Sequence, residues 1–201
     1  MKWQGKIWVF DDIIPKTHQE IIKITLLGHQ FDWHFVEDVT GGGSRDKRPA
    51  FSHTFVKDGT LMSQENNIKM LEPLWMSGLE KVMEKTQVKA NYSVVTARTF
   101  LQLPLNNLQG RRYDAHHIDR IEPHFAFLYY VCDADGDTVI FENMYSKNKP
   151  DAPTPKQLKE KKSVTPKQGR MVIFDGYHWH TATQPRKGVR CVINTDIVQT
   201  P

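Results

Sequence analysis

The sequence has few cysteines and no long apolar run, and each shortage argues against a class of protein. Its two cysteines, Cys132 and Cys191, lack CxxC spacing, so we expect reduced, buried thiols, with neither a disulfide scaffold nor a cysteine zinc site. No apolar run approaches the length of a membrane span, and we expect no membrane association. Residues 1–6 lack the apolar stretch of a signal peptide, which predicts a cytoplasmic protein.

The formal net charge of +4 is distributed unevenly along the chain. Residues 144–170 contain eight lysines and arginines but only two acidic residues. A solvated, proline-interrupted loop is the favoured interpretation, and a rim that attracts an acidic partner is the alternative.

The apolar pattern predicts a mainly β (α+β) fold. Residues 3–10 read as an opening strand, and residues 15–27 and 61–85 show helical periodicity, with Pro73 expected to break or kink the second helix. From residue 91 onward the pattern changes to short β-rich runs separated by turn residues: 93–103, 125–132, 138–141, 171–174 and 189–198. Many short strands after leading helices favour a jelly-roll core supported by N-terminal helices.

No second-domain linker is evident, so we expect one domain over residues 1–201. Residues 1–92 would supply the opening strand and the helical support, and residues 93–201 the jelly-roll core. Residues 144–168 are treated as an insertion within that core, because they are long, basic and rich in proline.

His117 and Asp119 are the candidate metal ligands that the sequence itself suggests. In an extended strand, residues i and i+2 point to the same side, so one imidazole and one carboxylate would face a common site. A distant histidine would complete a two-His-one-carboxylate face, which suits Fe(II) and leaves coordination positions open. His178 and His180 both qualify, and they are expected to share a strand face, where they could instead form an HxH zinc pair. HExxH is absent, which argues against a metalloprotease helix.

The C-terminal half resembles the 2-oxoglutarate/Fe(II) oxygenases, in particular the small prolyl-4-hydroxylase-like branch of marine bacteria and their phages. The resemblance implies a double-stranded β-helix, the jelly roll of these enzymes. The motifs that carry it are HID at 117–119, FLYYVCDADGDTVIFE at 127–142, GRMVIFDGYHWH at 169–180 and GVRCVIN at 188–194.

The resemblance also implies roles for individual residues and a set of cofactors. His180, ten residues before Arg190, would be the third ligand beside His117 and Asp119, and Arg190 would bind the distal carboxylate of 2-oxoglutarate. Tyr130 would be a further contact to that carboxylate. The implied cofactors are Fe(II) and the co-substrate 2-oxoglutarate, with ascorbate as a candidate reductant and dioxygen as oxidant.

The implied reaction is hydroxylation of an unactivated C–H, with release of succinate and carbon dioxide. A prolyl or other peptidyl side chain in a peptide or protein is the favoured substrate, and residues 40–49 and 144–166 are candidate lids. A free small molecule or a nucleobase is the alternative, as is a non-catalytic cupin-like metal-binding module. The nucleic-acid demethylase branch has a second arginine where this chain has Asp196, which argues against nucleic acid as partner.

Overall fold

The computed structural model describes residues 3–39, 47–105 and 113–200. Two α-helices are present in the described residues, α1 (Lys16–Leu27) and α2 (Glu65–Thr86), together with a 3-10 turn at Pro155–Gln157. The strands are β1 (Ile7–Phe10), β2 (His34–Val36), β3 (Ala50–Lys57), β4 (Thr60–Leu61), β5 (Asn91–Gln102), β6 (Phe125–Tyr130), β7 (Thr138–Met144), β8 (Glu160–Val164), β9 (Met171–Asp175), β10 (His178–Ala182) and β11 (Arg190–Thr200). Neither helix has the length and apolar character needed to cross a bilayer.

The strands form two antiparallel sheets. The larger sheet has eight strands in the order β1-β9-β6-β11-β5-β3-β2, with β4 paired to β3. The smaller sheet has the order β10-β7-β8. The mainly β jelly-roll core expected from the sequence is therefore confirmed.

The two faces of the larger sheet are covered by different layers. Phe125, Phe127 and Tyr129 of β6 pack in one cluster with buried residues of α1 and α2. The alternate residues of β6 pack in a second cluster with Ile140 of β7 and Val164 of β8. Because successive strand residues point to opposite faces, the helices cover one face and the smaller sheet covers the other. The interior between the two sheets is where the pocket described below lies.

Helix α2 lies unusually close to the larger sheet at Gly78. A Cβ atom at this position would lie 2.4 Å from Cε2 of Phe127, so only glycine permits this approach. The helix also continues through Pro73, so a break at this residue is wrong, and a kink stays a prediction. Leu71, Leu74 and Trp75 are buried on the same helix, and their packing offsets the hydrogen bond that proline removes.

The sequence pattern did not predict every strand. Strands β2, β3 and β4 lie in the N-terminal half, where only an opening strand and helices were expected. Strand β8 lies within residues 144–168, the predicted insertion, and pairs with β7 in the smaller sheet. Residues 40–46 of the first candidate lid lie outside the described part of the chain.

Candidate metal and co-substrate site

His117, Asp119 and His180 meet at one end of the interior between the sheets. Backbone hydrogen bonds in both directions join His117 to His180, at N···O distances of 2.9 and 3.0 Å. Nε2 of His180 lies 3.2 Å from Oδ2 of Asp119, and Nε2 of His117 lies 4.0 Å from Oδ1. One donor atom from each of the three residues lies within 4.8 Å of the others. The three residues predicted from the sequence are thus brought together.

The hydrogen bonds of both imidazoles leave their Nε2 lone pairs facing this cluster. Nδ1 of His117 lies 3.2 Å from the carbonyl oxygen of Ala115, and Nδ1 of His180 lies 3.0 Å from that of His178. A carbonyl oxygen can only accept a hydrogen bond, so in the neutral rings Nδ1 carries the hydrogen. Nε2 then has a free lone pair that can bind a metal ion. Backbone hydrogen bonds of this kind commonly orient metal-binding histidines.

The carboxylate of Asp119 completes a donor set that fits a divalent cation. Its Oδ2 atom lies 3.2 Å from Nε2 of His180, while Oδ1 accepts from Asn194 at 3.2 Å. Burial by itself would raise the pKa of Asp119, but the neighbouring His180 and His117 outweigh it and hold the pKa well below its usual range. The group is therefore an anionic ligand at neutral pH, and two imidazoles with one carboxylate suit Fe(II).

His178 does not join this cluster. The pairing of β10 with β7 is irregular between His178 and His180, and the expectation that both rings share a strand face stays a prediction. Nδ1 of the buried His178 donates to the carbonyl oxygen of Phe141 at 2.7 Å, and Nε2 lies 3.5 Å from Nζ of Lys161. The third member of the cluster is consequently His180.

Arg190 is a buried cation whose hydrogen-bond partners among the described residues are all neutral. Its side chain donates from Nε to the carbonyl oxygen of Gly136 at 2.7 Å, from Nη1 to Oε1 of Gln102 at 2.6 Å, and from Nη2 to Oγ1 of Thr138 at 2.8 Å. Burial lowers its pKa, although a guanidinium stays charged at physiological pH. Within the part of the chain that the structure describes, these bonds use three of its five N–H groups, which leaves two for an anionic ligand.

One pocket connects the metal-ligand cluster to Arg190. It contains about 630 Å³ of empty space, counted out to its open mouth, and both histidines of the cluster and Arg190 line it. The rest of the lining combines apolar side chains, among them Phe100, Leu128 and Val192, with the polar Gln102, Thr138 and Asn194. A small dianion could therefore place one end at the cluster and the other at the guanidinium.

Tyr130 lies beside Arg190 without lining the pocket. The centre of the Arg190 guanidinium is 5.9 Å from the centroid of the Tyr130 ring, a cation–π distance. The Tyr130 hydroxyl donates to the carbonyl oxygen of Val164 at 3.3 Å. Burial raises the pKa of Tyr130 to about 12, so the phenol is neutral. A direct contact between Tyr130 and a co-substrate carboxylate stays a prediction.

Several pocket residues were missed by the sequence analysis. Gln102 and Thr138 hold the Arg190 guanidinium, and nothing in their local sequence indicates it. Asn194 was detectable, because it follows Arg190 by four residues and thus shares its strand face.

Asp114 forms a buried ion pair with Arg48 at 2.8 Å, and it also accepts from Gln184. Burial raises the pKa of Asp114 despite both partners.

Comparison with solved structures identifies the fold. A 2OG-Fe(II) oxygenase-family oxidoreductase from Burkholderia pseudomallei matches with a TM-score of 0.67 at 13% identity, covering 95% of this chain and 84% of that one. The non-heme alpha-ketoglutarate-dependent epimerase SnoN of nogalamycin biosynthesis matches with a TM-score of 0.66 at 9% identity, over 97% and 79% of the two chains. A Trichoplax adhaerens prolyl hydroxylase in complex with a hypoxia inducible factor peptide fragment matches with a TM-score of 0.60 at 11% identity, over 96% and 84%.

These likenesses confirm the fold predicted by the sequence resemblance. No protein-family model matches the sequence, and no curated protein matches it either. At these identities, shared architecture does not by itself establish a shared reaction. The chemistry has to be argued from the residues of the pocket.

Proposed function

We propose that this protein is a 2-oxoglutarate- and Fe(II)-dependent dioxygenase acting as a single domain over residues 1–201. The observation that carries the proposal is the shared pocket that His117, His180 and the buried Arg190 line. A 2-oxoglutarate dianion matches both ends, because its keto-acid group suits a metal and its distal carboxylate suits a guanidinium.

Each residue of the site has a distinct part in this proposal. His117, Asp119 and His180 would hold the iron. When bound, the iron would activate dioxygen, and this activation is coupled to the conversion of 2-oxoglutarate into succinate and carbon dioxide. Arg190 would orient the co-substrate through its two remaining N–H groups. Gln102 and Thr138 fix the orientation of the guanidinium plane through their hydrogen bonds, and they so preorganise Arg190 for a ligand. The apolar side chains in the pocket lining would strengthen these polar contacts by lowering the local dielectric constant.

An anaerobic titration of the metal-free protein tests the class of enzyme. We expect a visible charge-transfer band that requires both Fe(II) and 2-oxoglutarate, because only a chelate between the two produces it. The control is addition of succinate in place of 2-oxoglutarate, since succinate has no keto group to chelate. Tight zinc binding without any such band would instead support the non-catalytic, cupin-like module.

For the substrate, we propose hydroxylation of a prolyl or other peptidyl side chain. The resemblance to the prolyl-4-hydroxylase-like branch supports it, as does the fold shared with a prolyl hydroxylase that carries a peptide fragment. Because residues 144–170 carry an excess of positive charge, they would attract an acidic peptide to the protein. The shared fold with an epimerase keeps a small-molecule substrate as the alternative.

Succinate release and mass spectrometry together distinguish these substrates. We expect proline-containing peptides to gain one oxygen atom while stimulating succinate formation, with ascorbate present as reductant. Free amino acids and methylated oligonucleotides serve as the comparison set. Stimulation by a member of that set, with no oxygen gained by any peptide, would move the assignment to a small molecule or a nucleobase.

A further inference from the structure

A buried ion pair between Arg48 and Asp114 lies at the pocket that contains Arg190. Nε of Arg48 lies 2.8 Å from Oδ1 of Asp114, and the two side chains are 4% and 7% exposed. Asp114 lines the pocket together with Arg190, whereas Arg48 is not among the described lining residues. Arg48 therefore reaches this carboxylate from outside the pocket.

The carboxylate of Asp114 acts against the positive charge of Arg190. Besides His117 and His180, these two are the ionisable side chains among the described lining residues. Burial raises the pKa of Asp114 and lowers that of Arg190, and the attraction between their opposite charges opposes both shifts. Alone, the carboxylate would cancel the charge that an anionic ligand needs. With Arg48 paired to it, this part of the pocket keeps the net charge of one guanidinium.

The backbone of Asp114 is held by bonds that do not involve Arg48. Its N–H donates to the carbonyl oxygen of Ala182 at 2.9 Å, and its own carbonyl oxygen accepts from Oγ1 of Thr181 at 2.9 Å. Both partners belong to β10, the strand that also carries His180. These bonds fix the segment that leads to the metal-ligand cluster, so the ion pair acts chiefly on the charge of the pocket.

We propose that Arg48 is a positioning residue for 2-oxoglutarate that acts through Asp114. By neutralising this carboxylate, Arg48 keeps the Arg190 guanidinium available to the distal carboxylate of the co-substrate. An uncompensated Asp114 would compete for the same guanidinium, since both groups are carboxylates. The inference rests on the proposed function and extends it to a residue that lies outside the described lining and supplies no metal-binding atom.

Two single variants should change 2-oxoglutarate binding in opposite directions. Arg48→Met removes the compensating cation and should weaken binding at least about tenfold. Asp114→Asn removes the opposing charge, keeps an acceptor for Arg48, and should tighten binding about threefold or more. The new amide would face Gln184, whose Oε1 atom is buried without a hydrogen-bond partner among the described residues. Gln184 can therefore turn its amide over and accept from the asparagine.

The double variant separates a charge effect from a structural one. Arg48→Met/Asp114→Asn should bind 2-oxoglutarate within about threefold of the wild type, because neither charge of the pair remains. The measurement is the 2-oxoglutarate dependence of the anaerobic charge-transfer band at saturating Fe(II), at pH 8 to favour the ionised carboxyl. Mn(II) affinity, measured by equilibrium dialysis, should be unchanged, since the pair supplies no metal-binding atom.

Arg170→Met is the matched control for loss of an arginine ion pair. Arg170 is paired with Asp11, and both residues lie outside the described pocket lining. This variant should leave the Kd of 2-oxoglutarate unchanged.

The outcomes separate this inference from the proposed function. Weaker binding in both single variants, without recovery in the double variant, would make the ion pair merely structural and overturn the inference alone. A wild-type protein without the charge-transfer band would overturn the proposed function and the inference with it. If Arg48→Met fails to fold, as judged by circular dichroism, Asp114→Asn still decides: tighter binding supports the inference, and unchanged or weaker binding overturns it.

Discussion

Replacing Arg190 with leucine should weaken 2-oxoglutarate binding roughly a hundredfold or more. Charge-assisted hydrogen bonds contribute about 1.5–3 kcal/mol each, and Arg190 has two N–H groups left for the distal carboxylate. The loss of two such bonds corresponds to at least about 3 kcal/mol, or two orders of magnitude in Kd. The measurement is the 2-oxoglutarate dependence of the anaerobic charge-transfer band at saturating Fe(II).

The Arg190→Leu variant should leave metal binding largely intact, because Arg190 supplies none of the three atoms that would bind the metal. Arg186→Ala is the matched control, since Arg186 is exposed and lies four residues earlier in the chain. Arg190→Lys should fall between the two, because an ammonium provides charge without a planar pair of donors. An unchanged Kd in the leucine variant would mean that the co-substrate carboxylate binds elsewhere.

His180→Ala should abolish turnover and the charge-transfer band together. The substitution removes one of the three side chains that would bind the metal. The expected loss of Fe(II) affinity therefore exceeds the roughly 10–100-fold loss that is typical when a residue hydrogen-bonded to a metal ligand is mutated. Asp119 would also lose the neighbour whose Nε2 lies 3.2 Å from its Oδ2. Single-turnover succinate formation and Fe(II) affinity are the two measurements that check this expectation.

His178→Ala provides the comparison that decides between the neighbouring histidines. The variant keeps the backbone carbonyl that accepts from Nδ1 of His180, so the orientation of His180 should survive. It removes the bond to Phe141 and leaves a cavity, so a lower melting temperature is expected alongside a retained charge-transfer band. A variant pair with the opposite behaviour, active without His180 and inactive without His178, would transfer the third-ligand role to His178.

Local spacing in the sequence made two residues of the candidate site predictable. His117 and Asp119 were recognised because an i, i+2 pair projects to one side of an extended chain. Arg190 was recognised by its distance from His180 along the sequence and by family resemblance. Gln102 and Thr138 were not recognised, because their contact with Arg190 joins residues 88 and 52 positions apart, and no local pattern encodes such a contact.

The difference between His178 and His180 shows where local reasoning stops. The two residues have the same spacing and the same strand, and regular alternation predicts that both rings share a face. Their partners nevertheless differ, because Nδ1 of His178 donates to the carbonyl oxygen of Phe141, 37 positions earlier in the chain, whereas Nε2 of His180 lies 3.2 Å from Oδ2 of Asp119. Hence only the paired strands determine which histidine lies beside Asp119.

The sequence by itself determined the mainly β architecture, the opening helices, and His117 and Asp119 as candidate ligands, because hydrophobic period and short spacing are local properties of the chain. Only the tertiary structure decided which histidine lies beside Asp119 and how Gly136, Gln102 and Thr138 hold the buried Arg190. These features depend on the register between strands that are distant in sequence, and register follows from the packing of whole sheets.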